Sequence, residues 1–366
     1  MLSRGRLARI EAQARRVLAD AIAAATFPAA AVDIGASAGT IWQEALGALT
    51  FDDTSAPASL QTPFDLASLT KPIATTSVIM RLVREGHVRL DEPVASFFSE
   101  WRGGDRDRTT VEDLLEHSSG LAARLIDSPP RGRREFEHDI CTMRLEYEPR
   151  TQSIYSDLGF ILLGFAAADR GQASLAEQFE SIVRGLGAAD KGSAPHPLCF
   201  ELDVHARRLA APTLPLGDDS RLGRLLVGEV HDSYAAALGG VAGHSGLFGS
   251  APAVGAFARA LLRAARGDES VAPPFSPALL TQFLVRSAVP GSSRALGWDT
   301  MLPTSSCGTR MSASAFGHVG FTGTSLWIDP ARDRYFVLLT NRACGGGSVD
   351  EMRTVRRAFH DALGEI

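Results

Sequence analysis

The sequence predicts an α/β (α+β) fold in which both ends of the chain contribute to one sheet and the middle is mostly helical. Segments with the composition of strands lie at 29–49 and 314–342, near opposite ends of the 366 residues. Strands from both ends of a chain often share one sheet, with helices inserted between them. We therefore expect a sheet region of residues 1–60 and 290–366, with terminal helices, and a mostly helical region of residues 61–289 with lid loops.

The N-terminal part is predicted to form a helix followed by a hairpin. Residues 5–26 place apolar side chains at the spacing of an amphipathic helix, namely Leu7, Ile10, Ala14, Val17, Leu18 and Ile22. The stretch AAAVDIGASAGTIWQEALGAL, residues 29–49, contains two strand-like runs separated by small residues. A short turn of small residues between two such runs is typical of a β-hairpin.

Four helices are predicted in the middle of the chain. IATTSVIMRLVREG indicates a buried helix that ends at Gly86, and TTVEDLLEHSSGL indicates a short helix capped by Thr109 or Thr110. SDLGFILLGFAAADRG and SAPAVGAFARALLRAARG predict two more, one buried and one amphipathic. The arginine- and proline-rich residues 122–153 are expected to form an exposed lid, and residues 190–222 a long irregular excursion.

The C-terminal part reads as strands and a closing helix. SAFGHVGF, TSLWIDP and DRYFVLLTNR have the composition of strands, and the residues from Asp329 to Asp333 supply a turn. A last helix is expected from about Asp350 to Leu363.

Composition excludes several classes of function. A net charge of −5 gives no electrostatic reason to expect a nucleic acid partner. The cysteines form no CxxC pair, so neither a zinc knuckle nor a redox motif is supported; they are Cys141, Cys199, Cys307 and Cys344. The sequence contains no run of 18 apolar residues, so it predicts no membrane span. The basic N-terminal segment lacks the continuous apolar core of a secretory signal. As given, the chain is expected to be cytoplasmic, although a trimmed export signal would leave no trace.

Two serines have the surroundings of a nucleophile. GASAG, residues 35–39, fits the G-x-S-x-G elbow of α/β-hydrolases, which requires a strand, a strained turn and then a helix. Here the turn is followed by TIWQEALGAL, which reads as a strand, so Ser37 is interpreted as part of a hairpin turn.

Ser68 is better placed, because DLASLTKPIA sets Lys71 three residues after it at the start of an apolar run. Residues i and i+3 lie on one face of a helix, so the Lys71 amine can lie beside the Ser68 hydroxyl. A serine hydroxyl is a weak nucleophile that needs an adjacent base, and burial can lower the pKa of a lysine toward that role. The pattern S-x-x-K is weak by itself, and a capping serine with a surface lysine is the alternative.

Two downstream motifs agree with the first interpretation. YSD places Tyr155 and Asp157 just before a buried helix, and FGHVGF places His318 on a strand beside glycines. In the order S-x-x-K, Y-x-D, H-x-G, the chain resembles the penicillin-recognising serine hydrolases, which include class C β-lactamases, D,D-peptidases and related esterases. LLEHSSGL, GGVAGHSGLFGSA and WIDPARDRYFVLLTNR match as well, so the resemblance covers about residues 28–362. It implies a β-lactamase-like fold with a central antiparallel sheet flanked by helices.

The resemblance also implies roles for individual residues. Ser68 would attack a carbonyl carbon and form an acyl-enzyme, while Lys71 and Tyr155 move the protons and Tyr155 protonates the leaving group. The backbone N–H groups of Ser68 and Phe321 would form the oxyanion hole. His318, in the third motif with Gly320, would line the pocket opposite the serine.

Two residues depart from the usual family pattern. Asp157 stands where many members have asparagine, which replaces an amide by an acceptor-only carboxylate. That carboxylate could favour substrates that offer N–H or O–H groups, or it could hold Lys71 protonated. His318 replaces a lysine and would be largely neutral at pH 7, which weakens the β-lactamase interpretation. Arg342 is a candidate replacement charge. His244 either contacts substrate or satisfies its own loop, and the sequence leaves both readings open.

The stretches YSDLGFILLG and GEVHDSYAAALGGVAGHSGLFGSA resemble a bacterial subgroup that is linked to cell-wall amino-sugar recovery. Members of that subgroup look like N-acetylmuramoyl-L-alanine amidases. We therefore expect a small-molecule amide or ester substrate, with a muropeptide as the candidate, and no metal and no organic cofactor. The alternatives are a carboxylesterase or promiscuous β-lactamase or D,D-peptidase on the same site, and a non-catalytic penicillin-binding-type sensor that acylates once and stalls.

Overall fold

A six-stranded antiparallel sheet forms the centre of the protein. The computed structural model describes residues 4–125, 129–189, 198–217, 219–364 and 366. The strands are β1 (Ala29–Ala36), β2 (Gly39–Gly47), β3 (Phe64–Asp65), β4 (Phe248–Gly249), β5 (Asp299–Thr300), β6 (Phe316–Val319), β7 (Ser325–Asp329) and β8 (Arg334–Thr340). The large sheet has the order β2–β1–β8–β7–β6–β5, and β3 pairs with β4 in a separate ribbon.

Helices cover both faces of this sheet. They are α1 (Arg4–Ala23), α2 (Ser77–Arg84), α3 (Val111–Leu115), α4 (Arg133–Thr142), α5 (Asp157–Gly171), α6 (Leu175–Ala189), α7 (Val204–Leu209), α8 (Ser233–Ala237), α9 (Ala251–Ala265), α10 (Pro277–Phe283) and α11 (Val349–Leu363). One apolar core joins α1 and α11 to the sheet, and a larger one joins the opposite face to α9 and the remaining helical part. Because both faces are covered, β1 is buried along almost its whole length.

The predicted fold class is confirmed: a central antiparallel sheet built from both ends of the chain, with helices around it and a mostly helical insertion. The first helix, the hairpin, the strands β6 to β8 and the last helix all lie where the sequence predicts them. Thr110 caps α3 with a full capping box, and Gly86 adopts φ +76° beyond the end of α2. Among the described helices, none combines the length and apolar character needed to cross a membrane.

Two expectations about loops hold only in part, and residues 126–128 of the predicted lid lie outside the described ranges. The segment predicted as an exposed lid contains the helix α4. Its apolar side chains Phe136 and Ile140 are fully buried, so this helix is part of the packed core. The predicted irregular excursion contains α7, capped by Asp203, although residues 190–197 of that prediction lie outside the described ranges. The sequence analysis also missed α6.

Candidate active site

The segment that carries Ser68 and Lys71 joins the small ribbon to the core helix α2. Ser68 lies in a 3₁₀ turn, Ala67–Leu69, and Lys71 opens a π-helical turn, Lys71–Thr76, that continues into α2. Backbone N–H groups at the start of such a turn lack intrahelical acceptors and can serve a ligand. π-Helical turns are rare and often occur at functional sites.

A buried carboxylate supports the backbone just before the serine. Ala67 has φ +48°, a left-handed conformation that residues with a side chain rarely adopt. Asp65 accepts hydrogen bonds from the backbone N–H of Ala67 at 2.8 Å and of His231 at 2.6 Å. Burial raises the pKa of Asp65 to about 6. The strained turn is therefore held by side-chain contacts, as expected where function requires one geometry.

Lys71 is completely buried and uses its three N–H groups fully. Its Nζ donates to Ser68 Oγ at 3.1 Å, to Asp157 Oδ1 at 2.8 Å and to the His244 carbonyl at 3.1 Å. Burial alone would lower the pKa of Lys71, but the charge and hydrogen bond of Asp157 raise it above its ordinary value. Lys71 is therefore an ammonium at neutral pH, as the sequence analysis anticipated for an aspartate at position 157.

Tyr155 lies against the same ammonium. Lys71 Nζ is 4.7 Å from the centre of the Tyr155 ring. The centres of the His117 and Tyr155 rings are also 4.7 Å apart. Burial raises the pKa of the Tyr155 hydroxyl, while the Lys71 charge and hydrogen bonding to Lys71 and Ser68 act in the opposite direction. The net effect is an increase, so Tyr155 is a neutral phenol at pH 7.

The two ring nitrogens of His318 have different surroundings. Its Nδ1 lies 2.8 Å from the Val319 carbonyl, which can only accept, so the proton is on Nδ1 and Nε2 is an acceptor. Nε2 is buried and has no hydrogen-bond partner among the described residues. Burial, then the nearby Arg294 and Lys71, lower the pKa of His318 well below its ordinary value. His318 is therefore neutral, as predicted, and offers an acceptor where a lysine would offer a cation.

A cavity of about 260 Å³ opens over Ser68. Its lining comprises Ser68, Tyr155, Arg294, Asp299, His318, Val319, Gly320, Phe321, Arg342, Val349, Met352 and Arg356. The backbone N–H of Phe321 has no acceptor within the described part of the chain, whereas its carbonyl accepts from Arg342 Nε and Nη2. A Cβ on Gly320 would lie 2.6 Å from the Leu66 carbonyl, so only glycine fits this wall.

The cavity wall is rich in guanidinium groups. Arg342 and Arg356 donate to backbone carbonyls, and Arg294 lies 5.2 Å from the centre of the Tyr155 ring. No carboxylate pairs with any of these three arginines among the described residues. Arg342 thus faces the cavity, and the other two arginines were not anticipated from the sequence. One carboxylate, Asp299, lines the same cavity.

His244 lies behind the catalytic lysine, away from the cavity lining. Its Nε2 is 2.8 Å from Asp232 Oδ1, and Arg124 Nη1 donates to Asp157 Oδ2 at 2.9 Å and to Asp232 Oδ2 at 2.8 Å. Asp157, Asp232 and His244 have the donor types of a metal site. Lys71 and Arg124 already neutralise the two carboxylates, so the group fits ion pairing better than a divalent cation.

The structure brings most of the predicted site residues together. Ser68, Tyr155, His318, Gly320 and Phe321 line one cavity, while Lys71, Asp157 and His244 lie directly behind it. Ser37, the alternative nucleophile, lies in the turn between β1 and β2 and does not line this cavity.

Sequence reasoning missed Arg124 and Asp232. Arg124 belongs to a segment that was read only as a lid. Asp232 follows GEVH in a stretch that was used only for its family resemblance, and its position before a small-residue helix could have marked it as an N-cap.

A larger cavity of about 830 Å³ lies between α6, α9 and residues 198–206. It is mostly apolar and is lined by none of the predicted site residues. The smaller cavity, in contrast, is lined by Ser68 and Tyr155, with the Lys71 ammonium directly behind them.

Comparisons with known proteins identify the family of this chain. A model of the beta-lactamase family matches residues 14–360. A putative D-alanyl-D-alanine carboxypeptidase of Escherichia coli is 30% identical over 319 residues, 78% of this chain and 70% of that protein. An N-acetylmuramyl-L-alanine amidase of Bacillus subtilis is 29% identical over 308 residues, 77% and 68% of the two chains. The solved structure of EstCE1, a hydrolase with promiscuous acyltransferase activity, has a TM-score of 0.75 at 20% identity and covers 97% of this chain and 99% of its own.

Proposed function

Because this chain belongs to the beta-lactamase family and is a hydrolase of that kind, we propose that it cleaves a small amide through an acyl-enzyme on Ser68. One observation carries the proposal: Lys71 Nζ lies 3.1 Å from Ser68 Oγ at the floor of a cavity. A nucleophile within hydrogen-bond reach of a proton carrier, itself oriented by a third group, is the arrangement that acyl transfer requires. Asp157 is that third group.

The proposed reaction has two balanced steps. Ser68 Oγ bonds to the substrate carbonyl carbon, its proton passes to the Lys71–Tyr155 pair, and the carbon–nitrogen bond breaks as Tyr155 protonates the leaving amine. Water then attacks the ester, gives a proton to the same pair, and the Ser68 oxygen leaves and recovers its proton. The N–H groups of Ser68 and Phe321 would hold the carbonyl oxygen when it becomes negative, where one lost donor typically costs about 10²–10³ in rate.

The protonation states at rest set the pH dependence of this scheme. Lys71 and Tyr155 both hold their protons at neutral pH, since the pKa of each is raised. The pair can accept the Ser68 proton only after one proton is lost, so we expect kcat/KM to rise with pH through an alkaline range. The apparent pKa of that rise belongs to the pair and not to either residue.

The substrate that we propose is a peptidoglycan-derived fragment with an amide bond. The names of two relatives, a carboxypeptidase and an amidase, both refer to amides of that polymer. The three arginines of the cavity wall suit a substrate that carries a carboxylate. They would supply the positive charge that the neutral His318 cannot.

A substrate panel tests this function against its alternatives. Wild type and Ser68→Ala would be assayed with an N-acetylmuramoyl-L-alanyl peptide, a peptide ending in D-Ala-D-Ala, nitrocefin and a p-nitrophenyl ester. We expect wild type to turn over an amide faster than the ester or nitrocefin, and Ser68→Ala to lose at least about 10³-fold. Turnover of the ester alone would favour the esterase, and a persistent adduct without product would favour the sensor. Undiminished amide turnover by Ser68→Ala would contradict the proposal.

A further inference from the structure

Five polar side chains behind Ser68 form a continuous chain of contacts, called the charge chain below. Lys71 donates to Asp157 Oδ1, and Arg124 donates to Asp157 Oδ2 and Asp232 Oδ2. The chain ends where His244 Nε2 meets Asp232 Oδ1. Lys71 is fully buried, whereas 40% of the Arg124 side chain is exposed. The charge chain therefore links the catalytic lysine to the protein surface.

The backbone that carries Arg124 is fastened on both sides. The Ala122 carbonyl accepts from Ser156 Oγ at 2.6 Å, and the Ala123 carbonyl accepts from the Asp157 backbone N–H at 3.0 Å. The Leu125 carbonyl accepts from Tyr234 Oη at 3.2 Å. The Arg124 guanidinium also lies 4.0 Å from the centre of the Tyr234 ring. These contacts hold one cation at a defined place beside Asp157.

The charges of the chain balance only when Arg124 is present. Two cations, Lys71 and Arg124, face two carboxylates, Asp157 and Asp232, and both carboxyl groups keep a pKa below the ordinary value despite their burial. Asp232 and Asp157 raise the pKa of Arg124, so its charge persists throughout the accessible pH range. Without Arg124, the same surroundings would carry one net negative charge and would hold the Lys71 proton more tightly.

We propose that Arg124 is a positioning residue which, by sharing Asp157 with Lys71, sets the pH at which the Ser68–Lys71 pair becomes reactive. This inference rests on the proposed function of Ser68. It assigns a catalytic consequence to a residue that touches neither substrate nor nucleophile. Asp232 supports it, because its Oδ2 accepts from the same Arg124 Nη1 that donates to Asp157.

Other titratable or charged groups face the same pair. Those that surround Lys71 and Asp157 from the elements packed against them are Tyr155, His117, His318, His244, Asp232 and Arg294. His117 and His318 are neutral because burial lowers the pKa of both well below its ordinary value. The variants below leave all of these groups in place except the one replaced.

The test measures the labelling rate of Ser68 by an alkyl fluorophosphonate from pH 5 to 10, for which no substrate need be known. In that reaction Ser68 Oγ bonds to phosphorus, its proton passes to the Lys71–Tyr155 pair and fluoride leaves, so the rate reports the reactivity of the serine. For Arg124→Gln we expect the rise of rate with pH to move to higher pH, which below the pKa of the pair gives about tenfold slower labelling at each pH. Arg124→Lys, which keeps the charge, should stay near the wild-type profile.

The variant Asp232→Asn should shift the pH profile of labelling in the opposite direction. It leaves the N-cap of α8 intact, since asparagine caps as well as aspartate does, but frees Arg124 to pair with Asp157 alone. Its profile should move to lower pH. Arg133→Gln, on the same stretch but paired with Asp169, is the matched control and should not move the profile.

The outcomes separate the two proposals. Equal losses in Arg124→Gln and Arg124→Lys, without the faster labelling expected of Asp232→Asn, would mean a purely structural role and would overturn the inference while leaving Ser68 as nucleophile. Labelling that persists in Ser68→Ala would overturn the proposed function and this inference with it. If Arg124→Gln fails to fold, Arg124→Lys and Asp232→Asn still decide, because an unmoved Asp232→Asn profile contradicts the inference.

Discussion

Replacing Asp157 with asparagine removes a buried negative charge that Lys71 and Arg124 share. The Nζ–Oδ1 distance is 2.8 Å, and Lys71 has no exposed side-chain surface. At an effective dielectric constant of about 20, two unit charges at that distance attract by about 6 kcal/mol. The asparagine amide still accepts a hydrogen bond from Lys71, and folding no longer has to desolvate a carboxylate. The net decrease in the free energy of unfolding is therefore smaller than this attraction. Removing one partner of a buried pair typically costs about 3–5 kcal/mol, and we expect about 3 kcal/mol here.

The pH dependence of that loss follows from both partners. The pKa of Asp157 lies below its ordinary 3.8 despite burial, since Lys71 stabilises its charge, so its contribution is present above 3.8 and is lost as the pH falls further. The pKa of Lys71 lies above its ordinary 10.5, so its contribution is present below 10.5 and is lost as the pH rises further. The difference in stability between wild type and Asp157→Asn should therefore be greatest between about pH 4 and pH 10.

Thermal unfolding at several pH values measures this difference. At about 2 °C per kcal/mol for a chain of this size, Asp157→Asn should lower Tm by about 6 °C at pH 7. The exposed pair Arg89–Asp91 supplies the control, because Asp91→Asn should leave Tm near the wild-type value. A loss below about 1 °C at pH 7 would refute the reasoning, since it would mean that Lys71 is uncharged in the folded protein.

The remaining predictions concern residues around the cavity. Gly320→Ala should lower both Tm and activity, because its Cβ would lie 2.1 Å from Thr324 Oγ1 and 2.6 Å from the Leu66 carbonyl; a wild-type Tm would contradict this. In a pH titration followed by NMR, the His318 ring should show no change near 6.5, because burial lowers its pKa well below that value; a midpoint near 6.5 would contradict it. Ser37→Ala should keep wild-type activity, and a loss above about tenfold would return attention to that turn.

The architecture was largely predictable because local patterns and global topology agree. The hairpin of β1 and β2, the strands β6 to β8 and the helix α11 each have a composition or a spacing that permits one interpretation. Their assembly into one sheet was expected only because strands from both ends of a chain often share a sheet. No individual residue indicated which strands would pair. The helix α4 was missed because its buried Phe136 and Ile140 are embedded among arginines, which dominate a reading by composition.

The catalytic cluster was predictable only in part. The contact of Asp157 with Lys71 was one of two roles expected for that carboxylate, the other being recognition of substrate N–H or O–H groups. Arg124 could not be predicted as a partner, because it lies 33 residues from Asp157 in sequence and in a segment without periodicity. Tertiary contacts over such separations leave no local signal. The tautomer of His318 likewise depends on a carbonyl whose direction only the folded backbone defines.

Identifying the labelled residue tests the central claim most directly. Wild type and Ser68→Ala would be incubated with a fluorophosphonate and examined by intact-mass analysis, followed by peptide mapping of the adduct. The account predicts one adduct per wild-type chain, located on Ser68, and none on Ser68→Ala. An adduct of equal yield on Ser68→Ala, or one mapped to Ser37, would contradict it.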